Sequence, residues 1–214
     1  MSRKYAQLAF TPLVKEQQRQ HGSRTQYERV EQGSASGDRL NPPEQEFIRR
    51  RDGFYMATVS ETGWPYVQFR GGHPGFLRIL DEQTLAFADL RGNRQYISTG
   101  NLQHDSRVAL FLMDYASQTR LKILGRATVH EDDAETLDLL AKLRDPAERS
   151  PAERAIVIHI EAFDWNCQQH ITPRFTQAEI AAALAPLHQQ IAALKEENAR
   201  LRSAQPTKAQ SANL

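Results

Sequence analysis

Gln68 and Arg70 alternate with Val67 and Phe69, so on an extended strand the two polar side chains face the same way. A charge and an amide side by side on such a face are costly without a partner, which marks the pair as ligand-facing. The plain alternative is an exposed strand face. The segment Asp89-Leu90-Arg91-Gly92-Asn93-Arg94-Gln95 follows another β-type run and leads toward a short helix. Arginines and free backbone N–H groups in such a place can grip a phosphate. Read plainly, it is a solvated turn with two surface arginines. A third pair, Arg120 and Lys122, shares one face of the run Arg120 to Leu124, either as a ligand contact or as edge-strand charges that discourage aggregation.

The elements that must position these groups are short and mostly extended. Phe54 to Ser60 and Trp64 to Arg70 are joined by Glu61-Thr62-Gly63, a connection suited to a β-hairpin. Further runs cover Gly75 to Leu80, Thr84 to Asp89, Arg107 to Met113, Arg120 to Val129 and the β-branched Ala155 to Ala162. Seven short runs with few long helical patterns between them favour an all-β barrel or sandwich over a Rossmann sheet. Asn41 before Pro42-Pro43 opens a short helix from Glu44 to Arg51, with Phe47 and Ile48 on one side. A second helix is predicted from Asp132 to Leu143, its acidic residues at the positive end and Leu137, Leu140 and Leu143 inward.

Residues 1–40 are polar, include the small-residue run Gln32 to Asp38, and are predicted to form an arm rather than a domain; residues 41–175 would be the barrel domain. In the helix predicted over residues 176–203, Leu184, Leu187, Ile191, Leu194, Asn198 and Leu201 follow steps of three and four. With Leu184 at heptad position a, Asn198 is also at a, where an asparagine fixes register and favours two strands. Such a seam serves a short coiled coil, or packs the helix on its own barrel. Residues 204–214 are predicted to be disordered.

Composition bounds the function. A hydrophobic share of 40% in 214 residues is ordinary for a soluble domain. A formal charge of +1 disfavours a nucleic-acid partner. No run approaches the roughly 18 apolar residues that span a bilayer, and Met1 to Tyr5 opens no signal-peptide core, so no membrane association and a cytoplasmic location are expected. The one cysteine, Cys167, excludes an intramolecular disulfide and reads as buried and inert. The seven histidines are scattered without a metal-binding pair, and no metal is expected. Gly71-Gly72-His73-Pro74-Gly75 lacks the P-loop lysine and reads as a turn. No nucleophile elbow is present.

The stretches RDGFYMATVSETGWPYVQFRGG, FADLRGNRQYISTGNL, RVALFLMDY and RLKILGRA, flanked by FTPLVKEQQRQHGSR and DWNCQQHITPR, resemble the pyridoxamine 5'-phosphate oxidase-related family of FMN-binding proteins. The likeness runs from about Phe10 to Phe175. It implies a six-stranded split β-barrel of Greek-key type with peripheral helices, and a homodimer with FMN in two clefts at the subunit interface. The resemblance assigns cofactor contacts to Gln68, Arg70, Asp89, Arg91, Asn93, Arg94 and Gln95, with Asn93 and Arg94 closest to the family's phosphate-binding positions. Arg120 and Lys122 would reach the flavin ring, where a cation near its pyrimidine end stabilises the reduced form. Trp165 would cover the ring, and Gln169, His170 and Arg174 would orient an anionic or carbonyl substrate. Two departures matter. Gln68 stands where arginine is more usual, and Gln168-Gln169-His170 replaces the Arg-x-His that holds the vitamin B6 phosphate in the true oxidases.

The function expected is an FMN-dependent oxidoreductase that passes hydride or electrons from a reduced donor to a small molecule or oxygen. Alternatives are a non-catalytic binding or carrier protein for flavin, haem or a related planar ligand, and a deazaflavin-dependent reductase. No catalytic acid is identified.

Overall fold

The computed structural model describes residues 1–33, 37–131, 134–146, 148–165 and 169–204. The chain divides into two compact units, Met1–Thr172 and Pro173–Leu214. The first is mainly β. Seven antiparallel strands, β1 (Gly53–Val59), β2 (Pro65–Gly71), β3 (Arg78–Asp81), β4 (Thr84–Leu90), β5 (Arg107–Asp114), β6 (Thr119–His130) and β7 (Ala152–Trp165), form one sheet in the order β2-β1-β5-β6-β7-β4-β3. Each of the seven predicted runs contains a strand, one more than the six that the family resemblance implies, but the run predicted from Gly75 to Leu80 is strand only from Arg78, residues 75–77 belonging to the connection before β3. The β1–β2 connection turns through Gly63, whose φ of 85° is a backbone state that side chains rarely tolerate.

Alternation sorts the sheet into two faces. Phe54 and Met56 of β1, Leu110 and Leu112 of β5, Leu121 and Ile123 of β6 and Ile156 and Ile158 of β7 are buried together with Phe87 of β4. Phe54 and Phe87 meet edge to face with ring centroids 5.4 Å apart, although three strands separate β1 from β4 in the sheet order. The sheet therefore curls until its two ends face each other across the core. Where β6 and β7 shift register after Leu124, Gly125 is required by space, since a Cβ there would lie 2.5 Å from the His159 carbonyl oxygen.

Seven helices are described. In the first unit, α4 (Pro42–Arg49) has proline in its first turn, and the Asn41 backbone N–H donates to Glu44 Oε2 at 3.0 Å. Between β4 and β5, α5 (Ile97–His104) begins after Tyr96. The helix α6 (Ala134–Leu143) buries Thr136 and Leu143 and half-buries Leu139 and Leu140. The expectation that Leu137 points inward is corrected: it is 70% exposed, because the buried stripe runs through the neighbouring residue, about 100° away around the helix. Asp132 and Asp133 lie outside the described residues, as do part of the predicted loop at 34–36 and the predicted disordered tail beyond residue 204.

The residues expected to form an arm carry α1 (Arg3–Ala9), α2 (Pro12–Gln20) and α3 (Arg24–Gln32). Too short to persist alone, α1 is anchored by tertiary bonds. Ser2 Oγ donates to the Phe163 carbonyl at 2.5 Å, the N-terminal ammonium lies 3.4 Å from Asp164 Oδ1, and Ala6 is fully buried. The second unit contains α7 (Gln177–Ala204), with Pro186 inside it.

Candidate functional site

On β2 the inward-facing residues are Tyr66, Gln68 and Arg70, half-buried opposite Thr58, Met56 and Phe54 of β1. Because β2 ends the sheet, its polar inward side chains find partners across the curl. Arg70 Nη1 donates to Asp89 Oδ1 at 2.5 Å, bridging β2 to β4. The other Asp89 oxygen accepts from Arg154 Nη1 of β7 at 3.2 Å. Arg154 also lies 3.2 Å from Glu153 and 2.6 Å from Glu131, and its guanidinium sits 4.9 Å from the Tyr96 ring centroid. Burial works against the Arg154 cation, but Glu131 and Asp89 outweigh it and hold its pKa above the ordinary value. Both carboxylate oxygens of Asp89 are thus committed to arginines.

The rest of the cleft comes from the loop into α5. Gln68 Oε1 accepts from the Ser98 hydroxyl at 3.0 Å, and Asn93 Oδ1 from the Gln95 N–H at 3.2 Å. Arg91 Nε donates to Glu153 at 2.8 Å, a bond that lowers the Glu153 pKa. Arg94 is exposed and among the described residues donates only through Nε, to the Tyr96 hydroxyl at 3.2 Å, which raises its own pKa. The loop is strained: Arg94 and Tyr96 hold φ of 61° and 53°, left-handed states that non-glycine residues occupy at a cost. The first bond into α5 is donated by Gly100 to the Tyr96 carbonyl, so the N–H groups of Ile97, Ser98 and Thr99 precede the helix's own acceptors.

These residues line a cleft of about 200 Å³ that gathers Gln68, Arg70, Asp89, Asn93, Arg94 and Gln95, with Arg91 paired to Glu153 at its wall. Tyr66, Tyr96, Ser98, Thr99, Glu153 and Arg154 join them, and sequence reasoning missed these. Tyr66 shares parity with Gln68 and Arg70, and an arginine at the head of a buried β-branched strand demands a partner, so both signals were present in the chain. The donor set fits a phosphate. Among the described residues Arg94 has uncommitted guanidinium N–H groups, the first turn of α5 supplies free backbone donors, and Arg70 Nε is buried without a hydrogen-bond partner. The volume does not fit a whole flavin mononucleotide, since sites for ligands of that size occupy roughly 300–1,000 Å³.

The remaining predicted residues lie elsewhere. Lys122 is in register with Phe111, which faces Tyr55 and through it Phe69, so Arg120 and Lys122 occupy the sheet face opposite Gln68 and Arg70. That outer face is apolar and open, with Val67 59% and Phe69 58% exposed. Lys122 Nζ lies 3.2 Å from Asp164 and 4.7 Å from the Tyr5 ring centroid. The Arg120 guanidinium lies 5.6 Å from the Phe111 centroid, and its Nε is buried without a hydrogen-bond partner among the described residues. Trp165 faces inward, meets Phe47 edge to face and donates its indole N–H to Glu44 at 2.7 Å. Gln169 and His170 are exposed, and Arg174 belongs to the second unit. Asn166, Cys167 and Gln168 lie outside the described residues. A larger cleft of about 550 Å³, lined by Phe76, Leu90, Leu137, Leu140, Arg144 and Arg149 among others, meets the first at Leu90 and contains none of the predicted residues.

The sequence profile described as pyridoxamine 5'-phosphate oxidase matches residues 40–167, more than half of the chain. The chain belongs to that family. Comparison with curated proteins gives no match. Among solved structures, a protein from Lactobacillus delbrueckii assigned as a pyridoxamine 5'-phosphate oxidase is 25% identical, with a TM-score of 0.47 over 59% of this chain and 94% of that one. An FMN-binding protein from Syntrophomonas wolfei is 12% identical, with a TM-score of 0.45 over 57% and 86% of the two chains. An F420 reductase is 21% identical, with a TM-score of 0.42 over 58% and 98%. All three scores lie below 0.5, and the family assignment rests on the profile. No helix among the described residues is long and apolar enough to cross a membrane.

Proposed function

We propose that the protein is an FMN-binding split-barrel flavoprotein that acts as an oxidoreductase on a small molecule or oxygen, as a homodimer. The observation that carries this reading is the uncommitted Arg94 guanidinium beside the free N–H groups at the start of α5, in a chain of this family. Arg94 and those N–H groups would hold the phosphate, and Arg70 Nε and Gln68 would meet the polar chain that follows it. The bound flavin would supply the redox chemistry. The protein's own residues then anchor, orient and exclude water.

Size and facing support dimerisation. A cleft of about 200 Å³ takes the phosphate end alone, so the ring needs walls from elsewhere. The open apolar face carrying Tyr55, Val67 and Phe69 is the surface on which a second copy would close, bringing its Arg120 and Lys122 toward a ring held by the first. The barrel closure implied by the family is supported by the contacts of Phe54 with Phe87 and Arg70 with Asp89. His170, Gln169 and Arg174 remain the proposed substrate contacts, and Trp165 a proposed ring contact.

One observation favours a carrier instead: Asp89 and Glu153, the carboxylates of the cleft, are both engaged by arginines, leaving neither free to move a proton. An absorption spectrum of the purified protein, with the cofactor released, weighed and then reduced anaerobically by reduced nicotinamide, separates the readings. FMN that bleaches supports the oxidoreductase, and FMN that stays oxidised supports a carrier or another donor. Released deazaflavin, or a colourless protein that FMN does not reconstitute, refutes the FMN assignment. A monomer that keeps stoichiometric FMN on sedimentation would refute the interface site and move the ring into the larger cleft beyond Leu90.

A further inference from the structure

The second unit contains a feature that flavin binding does not use. Helix α7 spans 28 residues, the length of four heptads, and its apolar residues Leu184, Leu187, Ile191, Leu194 and Leu201 are 40–59% exposed. A solvated helix gains nothing from one continuous apolar stripe, whereas burying it against a partner stabilises both. With Leu184 at a, the stripe extends back to Ile180 at d, and Pro186 falls at c, off the seam.

We propose that α7 pairs with α7 of a second copy as a parallel, in-register, two-stranded coiled coil. Isoleucine at a (Ile191) between leucines at d (Leu187, Leu194) is the combination that favours two strands, and Asn198 at a can meet its symmetry mate at the cost of its present bond to the Leu194 carbonyl, 2.9 Å. Charge selects the direction. In a parallel pair each g residue faces the e residue five positions on in the partner, which sets Glu197 against Arg202 twice. In an antiparallel pair the e positions face each other, and here they carry the cations Lys195 and Arg202, which repel. The partner is therefore another copy of this chain, held by an interface independent of the flavin cleft.

The test uses the full chain with Cys167→Ser, so that introduced cysteines are the only thiols. Leu194→Cys at d is expected to form a disulfide-linked dimer under mild oxidation, while Glu196→Cys at the outward f position is expected to link far more slowly. Adding Glu197→Arg to Leu194→Cys should slow linking by about fivefold, and adding Arg202→Glu as well should restore it. Equal rates at the two cysteines, a chain that stays unlinked, or no rescue by the charge swap would each overturn the pairing. FMN binding measured on the same variants reports separately on the barrel.

Discussion

Replacing Arg94 by alanine should weaken FMN without weakening the fold. Arg94 is exposed and donates only to the Tyr96 hydroxyl, so no buried group is stranded and stability should change by no more than about 0.5 kcal/mol. A charge-assisted bond to a phosphate is worth about 1.5–3 kcal/mol, which corresponds to a rise in Kd of about 10- to 150-fold. The left-handed φ of 61° adds a second handle. Arg94→Gly should lose the same affinity yet stabilise the ligand-free protein by about 1 kcal/mol, because glycine adopts that backbone state without strain. Quenching of flavin fluorescence during titration of the apoprotein measures the affinity, with riboflavin as the phosphate-free ligand. The four affinities form a double-mutant cycle in which the Arg94→Ala effect should vanish for riboflavin. Equal losses for FMN and riboflavin would show that Arg94 does not meet the phosphate. An unchanged FMN affinity would refute the anchor and shift it to Arg91 or Arg70.

Arg70→Ala should instead unfold the protein more readily: Asp89, 6% exposed, would keep Arg154 alone, at a cost of about 3 kcal/mol in urea denaturation, and a loss under 1 kcal/mol would contradict the buried clamp. Trp165→Phe keeps the contact with Phe47 but removes the donor to Glu44 Oε1 while Oε2 keeps the Asn41 N–H, so stability should fall by about 1–3 kcal/mol. A matching loss of FMN affinity in that variant would reveal a direct ring contact as well. The hydrogen bonds of Arg107 lower the Asp105 pKa to about 2 from 3.8, so this carboxylate's contribution to stability is fully present above pH 3.8 and lost as the pH falls toward 2. A carboxyl NMR titration should show that midpoint, and Arg107→Ala should raise it only part of the way back toward 3.8, because the backbone N–H of residue 107 still donates to Asp105 Oδ1; no movement would exclude the side-chain pair as a cause.

Strand positions, the hairpin at Gly63, the start of α4 at Asn41 and the heptad steps of α7 were legible in the chain, because each is set by local backbone preference and side-chain periodicity. Parity on a strand was equally legible: Gln68 with Arg70, and Arg120 with Lys122, do share faces. Which of two faces a pair occupies was not, because one residue of register exchanges core for solvent and only the curl of the sheet decides between them. That curl set Asp89 against Arg70 and Arg154, 19 and 65 positions away along the chain, and placed Lys122 on the opposite side. It also decided that Trp165 would bond Glu44, 121 residues away, and that the short polar helix α1 would be held by Phe163 and Asp164. The sequence determined directions and periods, which are properties of neighbouring residues. Partners separated by a hundred residues depend on how the whole sheet curls to bury Phe54, Met56 and Phe87, and that minimum of exposed apolar surface belongs to the folded chain alone.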